Sequence, residues 1–125
     1  MADDKTILFI DDNPVDRALI EKLLSKHQFN ILLAANAKDG MKIAEENHPD
    51  LILLDVLLPG ISGIELCKKL RSKTNTSDIP VIFYTSIDTP KHLIDYASYG
   101  AIDYVQKTIP PEILIRRIKT ILGVE

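Results

Sequence analysis

The chain has 125 residues, a formal net charge of -3 and a single cysteine, Cys67. This length suits one compact domain that buries a core without disulfides, and the acidic balance argues against direct nucleic-acid binding, which usually needs a basic stripe. The sequence has neither a signal-peptide core in segment 1–6 nor an apolar run of roughly 20 residues, so we predict a cytoplasmic protein that does not insert into membranes.

Apolar runs typical of strands alternate with helical patterns along the chain, which predicts βα units and a parallel sheet. The first strand is predicted at Thr6 to Ile10, and a helix follows from Asn13 and Pro14, because proline suits the first helical turn. The second strand is predicted at Asn30 to Ala34 and its helix at Ala37 to Asn47. The first helix is expected to bury its apolar residues Ala18, Leu19, Leu23 and Leu24.

The third and fourth strands are predicted from two further apolar runs, Leu51 to Asp55 and Val81 to Tyr84. The polar stretch Ser72 to Asp78 between them is predicted to be a surface loop. The helix before that loop is expected to bury Ile64, Leu66, Cys67 and Leu70. The cysteine is therefore interpreted as a small apolar core residue.

The last part of the chain completes the alternation. A helix is predicted near Pro90 to Tyr99 with its end at Gly100, the fifth strand at Ala101 to Val105, and a final helix from Pro110. Five such units at this length suit a flavodoxin-like, doubly wound α/β sheet of order 2-1-3-4-5 with helices on both faces, whereas a barrel needs about eight. We predict a single domain over residues 1–125, with no output domain in the chain.

Three acidic residues directly follow predicted strands: Asp11 and Asp12 after the first, and Asp55 after the third. The predicted strand order places these two strands side by side, so the carboxylates are expected to meet in one crevice at the carboxyl edge of the sheet. Because three carboxylates repel one another in a partly dry cleft, a divalent cation is their natural partner. Thr85 and Lys107, after the fourth and fifth strands, are expected to line the same crevice.

The order and spacing of these residues resemble the phosphoacceptor receiver domains of two-component response regulators, a family that includes the single-domain chemotaxis regulator. The resemblance covers essentially the whole chain. It also includes the loop with Leu58, Pro59 and Gly63, and Tyr104 beside Lys107.

The resemblance implies that Asp55 is the nucleophile that takes a phosphoryl group from a sensor histidine kinase or a histidine phosphotransfer protein. Thr85 would donate its hydroxyl to one phosphoryl oxygen. Lys107 would pair with Asp55 at rest and with another phosphoryl oxygen afterwards. The protein would then be a signalling domain rather than an enzyme, because it would assist only its own phosphorylation and autodephosphorylation.

The resemblance also implies a bound Mg²⁺, with Mn²⁺ as the alternative metal. Asp12 would be a direct ligand, Asp11 a direct or water-mediated one, and the backbone carbonyl of Leu57 would contribute beside Asp55. Mg²⁺ prefers oxygen ligands and keeps several waters, which agrees with such a set.

In this family the signal travels through a coupled pair, here Thr85 and Tyr104. Thr85 would move toward the phosphoryl group and Tyr104 would turn from an exposed to a buried rotamer, which shifts two existing states. The readout surface would comprise the fourth helix, the fifth strand and the fifth helix (α4-β5-α5 in the family's order). It would bind a downstream protein or output domain, and the chain would be a monomer or a phosphorylation-dependent dimer. The candidate readout residues are His92, Asp95, Tyr96, Tyr99, Tyr104 and Arg116.

The chain departs from the family's pattern in three places. Thr108 follows Lys107 where proline is common, so that peptide bond is either trans in a reshaped loop or cis at a cost of about 2.5 to 4 kcal/mol. Leu58 replaces a methionine, a tolerated change of similar volume. Ser86 follows Thr85 where a smaller residue is usual.

The positions two residues beyond Asp55 and Thr85 flank the phosphoryl group in this family, and here they are the apolar residues Leu57 and Ile87. Neither can hold an attacking water by hydrogen bonding, which predicts a long-lived phosphoryl form.

Two other functions remain open from the sequence. One is a Mg²⁺-dependent phosphatase of small molecules, which usually needs an acid two residues after the nucleophile, where this chain has Leu57. The other is a receiver-like interaction module that is not phosphorylated. Asp11, Asp12 or Asn13 would then only cap a helix, and Lys107 would be a surface lysine.

Overall fold

The computed structural model describes residues 4–86 and 95–125 of the chain. Five parallel strands form one sheet in the order β2-β1-β3-β4-β5, which confirms the predicted doubly wound α/β fold. At the centre of the sheet, Ile10 pairs with Ala34 on one side and with Leu54 on the other. The strands are β1 Thr6–Ile10, β2 Asn30–Ala34, β3 Leu51–Leu54, β4 Val81–Thr85 and β5 Asp103–Gln106.

Helices connect the strands, and three of them begin at a side chain that accepts backbone N–H groups of the first turn: Asn13, Asn36 and Ser62. The described helices are α1 Pro14–Lys26, α2 Ala37–Asn47, α3 Gly63–Ser72, a 3₁₀ helix Tyr96–Tyr99 and the C-terminal helix Pro111–Leu122. Within the described ranges, no helix is long and apolar enough to cross a membrane.

The helices cover both faces of the sheet and create two apolar cores. On one face α2 and α3 pack against the strands and bury Leu66 and Cys67, so the predicted environment of the cysteine is confirmed. On the other face α1 and the C-terminal helix bury Ile20, Leu24 and Ile118. Because both faces are covered, β3 and residues 7–10 of β1 are continuous apolar runs rather than alternating ones.

The predicted buried side of α1 is partly wrong. Ala18 and Leu19 are exposed and Leu23 is half-buried, whereas Ile20 and Leu24 are buried against the sheet. Ile20 and Leu24 lie four residues apart and so point the same way. Successive residues of a helix point about 100° apart, so Leu19 faces away from the core that Ile20 enters.

The end of the predicted fourth helix is a 3₁₀ helix rather than an α-helix, and residues 90–94 lie outside the described part of the chain. The Ser98 N–H donates to the carbonyl of Asp95 at 2.9 Å, and the Ser98 hydroxyl donates to the same carbonyl at 2.7 Å. Such side-chain competition for a carbonyl favours a short, tight turn. Gly100 ends this turn with a φ of 98°.

The start of β5 and the loop before β4 also differ from the prediction. β5 begins later than expected, because the Ala101 N–H donates to the Tyr96 carbonyl at 3.1 Å instead of joining the strand ladder. The predicted surface loop before β4 contains one fully buried residue, Thr76, whose hydroxyl donates to the Leu70 carbonyl at 2.7 Å. That bond fixes the loop to the end of α3.

Candidate functional site

The predicted acidic residues lie at the ends of the two central strands, and main-chain hydrogen bonds fix them there. The Asp11 N–H donates to the Ala34 carbonyl at 3.0 Å, and the Asp55 N–H donates to the Ile10 carbonyl at 3.0 Å. Asp11 and Asp55 are buried, and Asp12 is exposed. The sheet thus brings all three residues together.

The three carboxylates are close enough to hold one cation. One oxygen each from Asp11, Asp12 and Asp55 lies within 4.8 Å of the other two. Opposite oxygens around Mg²⁺ are roughly 4.2 Å apart, twice its usual bond length, so the set needs only a small adjustment to bind such an ion. Carboxylate oxygens also suit Mn²⁺.

Both oxygens of the Asp55 carboxylate have hydrogen-bond donors. The Leu57 N–H donates to Oδ1 at 3.1 Å, and the Lys107 ammonium donates to Oδ2 at 2.9 Å. The loop behind Asp55 is held by the Gly63 N–H, which donates to the Val56 carbonyl at 2.9 Å. A Cβ at Gly63 would overlap the backbone carbonyl of Asp55, so glycine is required for this close approach.

Lys107 contacts more carboxylates than the sequence predicts. Its Nζ lies 2.6 Å from Oδ2 of Asp11, 2.6 Å from Oδ2 of Asp16 and 2.9 Å from Oδ2 of Asp55. Its backbone N–H donates to the Thr85 carbonyl at 2.9 Å, which extends the ladder between β4 and β5. Both the main chain and the side chain of Lys107 therefore contact residues of the site.

Burial and hydrogen bonding oppose each other in this cluster. Burial raises the pKa of Asp11, and hydrogen bonds from Lys107 and from the Asn13 N–H offset only part of that effect. Burial alone would lower the pKa of the Lys107 ammonium, but hydrogen bonds to Asp11, Asp16 and Asp55 raise it above its usual value. The ammonium is therefore charged at neutral pH.

Asp16 and Arg17 are site residues that the sequence prediction missed. The Arg17 guanidinium donates to the backbone carbonyl of Asp11 at 2.8 Å, and Asp16 contacts Lys107. Both residues lie in the first turns of α1, where an acidic residue is also favourable toward the helix dipole. In the sequence, the helix dipole alone explains an acidic residue at Asp16. Its contact with Lys107 is apparent only in the structure, where the two side chains meet.

Thr85 and Tyr104 lie on the same face of the sheet. Thr85 pairs with Gln106 in the parallel register, and Tyr104 is two residues before Gln106, so their side chains share a face. Thr85 is fully buried, and Tyr104 is half-buried with its ring centroid 6.1 Å from that of Tyr96. The pocket beside Tyr104 has a volume of about 440 Å³.

The peptide bond between Lys107 and Thr108 is trans, as are all peptide bonds in the described ranges. The chain turns there through a hydrogen bond from the Ile109 N–H to the Gln106 carbonyl at 3.0 Å. Of the two predicted alternatives, the trans peptide bond is therefore the one present. Ile87 was predicted to flank the phosphoryl group, and His92 was predicted to lie on the readout surface. Both residues lie outside the described part of the chain.

The family model for the response regulator receiver domain matches residues 7–119, from β1 into the C-terminal helix. The chain belongs to the response regulator receiver domain family. This receiver domain is 34% identical over 117 residues to Protein PilH of Pseudomonas aeruginosa, a match that covers 94% of the chain and 97% of PilH. The chain spans between 8% and 52% of three longer relatives.

Solved receiver domains have the same fold. The BeF3-activated N-terminal receiver domain of Klebsiella pneumoniae RstA matches with a TM-score of 0.88 and 33% identity, over 94% of this chain and 97% of that one. The receiver domain of the histidine kinase PA1611 from Pseudomonas aeruginosa, with a magnesium ion coordinated in its active site cleft, matches with a TM-score of 0.87 and 27% identity, over 95% and 98% of the two chains.

Proposed function

We propose that this receiver domain accepts a phosphoryl group on Asp55 from a sensor histidine kinase or a histidine phosphotransfer protein. The main support is the environment of the Asp55 carboxylate, which is buried at the end of β3 with an N–H on one oxygen and the Lys107 ammonium on the other. Phosphoryl transfer depends mainly on in-line positioning and on neutralised charge. These contacts orient the nucleophile and supply a cation beside it.

The proposed metal is Mg²⁺, with Mn²⁺ as an alternative, held by Asp11, Asp12, Asp55 and the backbone carbonyl of Leu57. The spacing of the three carboxylates supports this set. The magnesium ion in the cleft of the related PA1611 receiver domain supports it as well. When bound, the cation would neutralise negative charge on the phosphoryl group and the carboxylates.

Lys107 and Thr85 are proposed to contact the phosphoryl oxygens. The Lys107 ammonium already lies beside Asp55, and the main-chain bond to Lys107 holds Thr85 at the neighbouring strand end. An ammonium and a hydroxyl aimed at the transferred group would stabilise the charge that develops on it. The small-molecule phosphatase is not favoured, because Leu57 stands where such an enzyme needs its second acid.

The proposed output is a change around Tyr104. Thr85 and Tyr104 share a sheet face, and Tyr104 is half-buried, so it could become either more exposed or more buried. The readout surface would comprise β5, the 3₁₀ helix and the C-terminal helix, where Asp95 and Arg116 are exposed and Tyr96 and Tyr99 are half-buried. We propose that it contacts a downstream protein in the cytoplasm, as a monomer or a phosphorylation-dependent dimer, with residues 1–125 acting as one domain.

Intact mass after incubation with acetyl phosphate and Mg²⁺ tests this function. The parent is expected to gain about 80 Da, the mass of one phosphoryl group, and Asp55→Asn to gain nothing. Asp95→Asn removes an exposed acid by the same exchange and should be phosphorylated like the parent. A parent that gains no mass, or an Asp55→Asn variant that does, would disprove the assignment. Slow loss of the added mass would agree with apolar Leu57 beside the acceptor.

A further inference from the structure

Asp16 makes one of the shortest contacts in the site. Its Oδ2 lies 2.6 Å from the Lys107 Nζ, closer than the 2.9 Å that separates this nitrogen from Asp55. The Lys107 side chain is 15% exposed and that of Asp16 is 28% exposed, so water screens the pair only partly. A charge-assisted hydrogen bond of this length is among the stronger polar contacts in proteins.

The main chain of Asp16 is held in place by the capped start of α1. It lies in the first turn of α1, where its N–H donates to the capping oxygen of Asn13 at 3.3 Å. The neighbouring Arg17 fixes that turn to β1 through the Asp11 carbonyl. Asp16 is not a member of the carboxylate set that could hold a metal ion, which consists of Asp11, Asp12 and Asp55.

The ammonium of Lys107 has three donor hydrogens, and at rest three carboxylates accept from it. A cation bound by Asp11 and Asp55 would draw on two of those carboxylates. Asp16 would then remain the anion closest to Lys107. The oxygens of a phosphoryl group lie beyond the carboxylate oxygen that carries it, so the ammonium would have to shift to contact one, and the 2.6 Å contact with Asp16 opposes that shift.

We propose that Asp16 is a positioning residue that holds Lys107 in its resting arrangement and opposes the transfer of this lysine to the phosphoryl group. The inference rests on the proposed function, because it concerns regulation of the same acceptor site. Asp16 thus favours the unphosphorylated state. Its effect acts through Lys107 and requires no contact with the phosphoryl group.

Binding of beryllofluoride, a mimic of the phosphoryl group, measures this competition. At saturating Mg²⁺, Asp16→Asn is expected to lower the half-saturating concentration of beryllofluoride about three- to tenfold, the range for a partly exposed charged pair. Asp16→Ser, a second variant without the charge, should change it in the same direction. Asp16→Glu keeps the carboxylate and should stay close to the parent.

Glu21→Gln is the matched control, because Glu21 is an exposed acid on the same helix. It removes the same charge and should leave beryllofluoride binding unchanged. A second measurement follows the Lys107 ammonium itself, through its ¹⁵N signal in the absence of beryllofluoride. This signal should shift in Asp16→Asn and stay constant in Glu21→Gln, which a general effect of net charge would not produce.

Three results would overturn the inference. Unchanged or weaker beryllofluoride binding in Asp16→Asn would show that Asp16 does not oppose the phosphorylated state. An equal gain in Glu21→Gln would assign the effect to net charge. A parent that binds no beryllofluoride would overturn this inference and the proposed function together. If the parent binds beryllofluoride and Asp16→Asn binds it no more tightly, only the role of Asp16 is disproved.

Discussion

The two sides of the carboxyl edge of the sheet are built differently. β3 and residues 7–10 of β1 are fully buried, both strands are paired with a strand on each side, and their main-chain bonds extend to Asp11 and Asp55. Among the described strands, β5 is paired only with β4, and of its four residues only Val105 is buried. The acceptor side is therefore fixed by backbone on both flanks, while the side that carries Tyr104 has room to change.

The sharpest test of this contrast uses two residues that are partners in the sheet, Phe83 and Tyr104. Phe83 is fully buried, so Phe83→Ala is expected to reduce the free energy of unfolding by about 3 to 5 kcal/mol. Tyr104→Ala removes a half-buried ring and should cost about 1 kcal/mol. Urea unfolding followed by circular dichroism measures both, and equal losses would refute the contrast.

A smaller effect is expected from Gly63→Ala, which targets the acceptor side. The added Cβ overlaps the Asp55 carbonyl, so α3 must shift at a cost of about 1 to 3 kcal/mol, and Mg²⁺ binding should weaken. Gly123→Ala is the control, because a Cβ there would meet open space and its cost would come only from the positive φ of 68°. It should lose some stability and keep the Mg²⁺ affinity of the parent, as isothermal titration can verify.

The smallest expected effect follows Lys107→Met. Without the ammonium, buried Asp11 loses a hydrogen bond that lowers its pKa, and the free energy of unfolding should fall by about 1 to 2 kcal/mol at neutral pH without metal. Because the pKa of Asp11 is raised on folding, the folded chain holds this proton more tightly than the unfolded chain. The difference in unfolding free energy between the parent and Lys107→Met should therefore become smaller as the pH falls from 7 toward 5.

Lys22→Met controls for the loss of a positive charge on the surface, since Lys22 is exposed on α1. Its unfolding curves should match those of the parent across the same pH range. Added Mg²⁺ should restore much of the stability of Lys107→Met, because the cation compensates the same carboxylates. A deficit that grows at lower pH would contradict the assigned protonation behaviour of Asp11.

The sequence predicts the strands and the acidic cluster well for a physical reason. Strands buried on both faces are continuous apolar runs, so Ile10 and Leu54 mark the ends of β1 and β3 clearly. In a parallel sheet the residues after such ends share one edge, which brings Asp11 and Asp55 together without knowledge of any side-chain rotamer.

Contacts that depend on helix phase or on side-chain direction were not predictable. Leu19 was expected in the core, and Ile20 occupies it, because one position along a helix changes the direction by about 100°. The contact between Asp16 and Lys107 joins two residues that are 91 positions apart in the sequence, and it depends on the direction of both side chains. In the sequence Asp16 does not differ from an ordinary solvated charge, and Lys107 was expected to pair with Asp55 alone.

Cys67 has a practical consequence for studying this domain. It is fully buried against the sheet, and burial raises the pKa of its thiol to about 11. At neutral pH the thiol is both inaccessible and protonated, so reagents that attack thiolates should leave it intact in the folded chain. A cysteine introduced at Ile102, which is 53% exposed just before β5, could therefore carry a fluorescent dye or a spin label without removal of the native one.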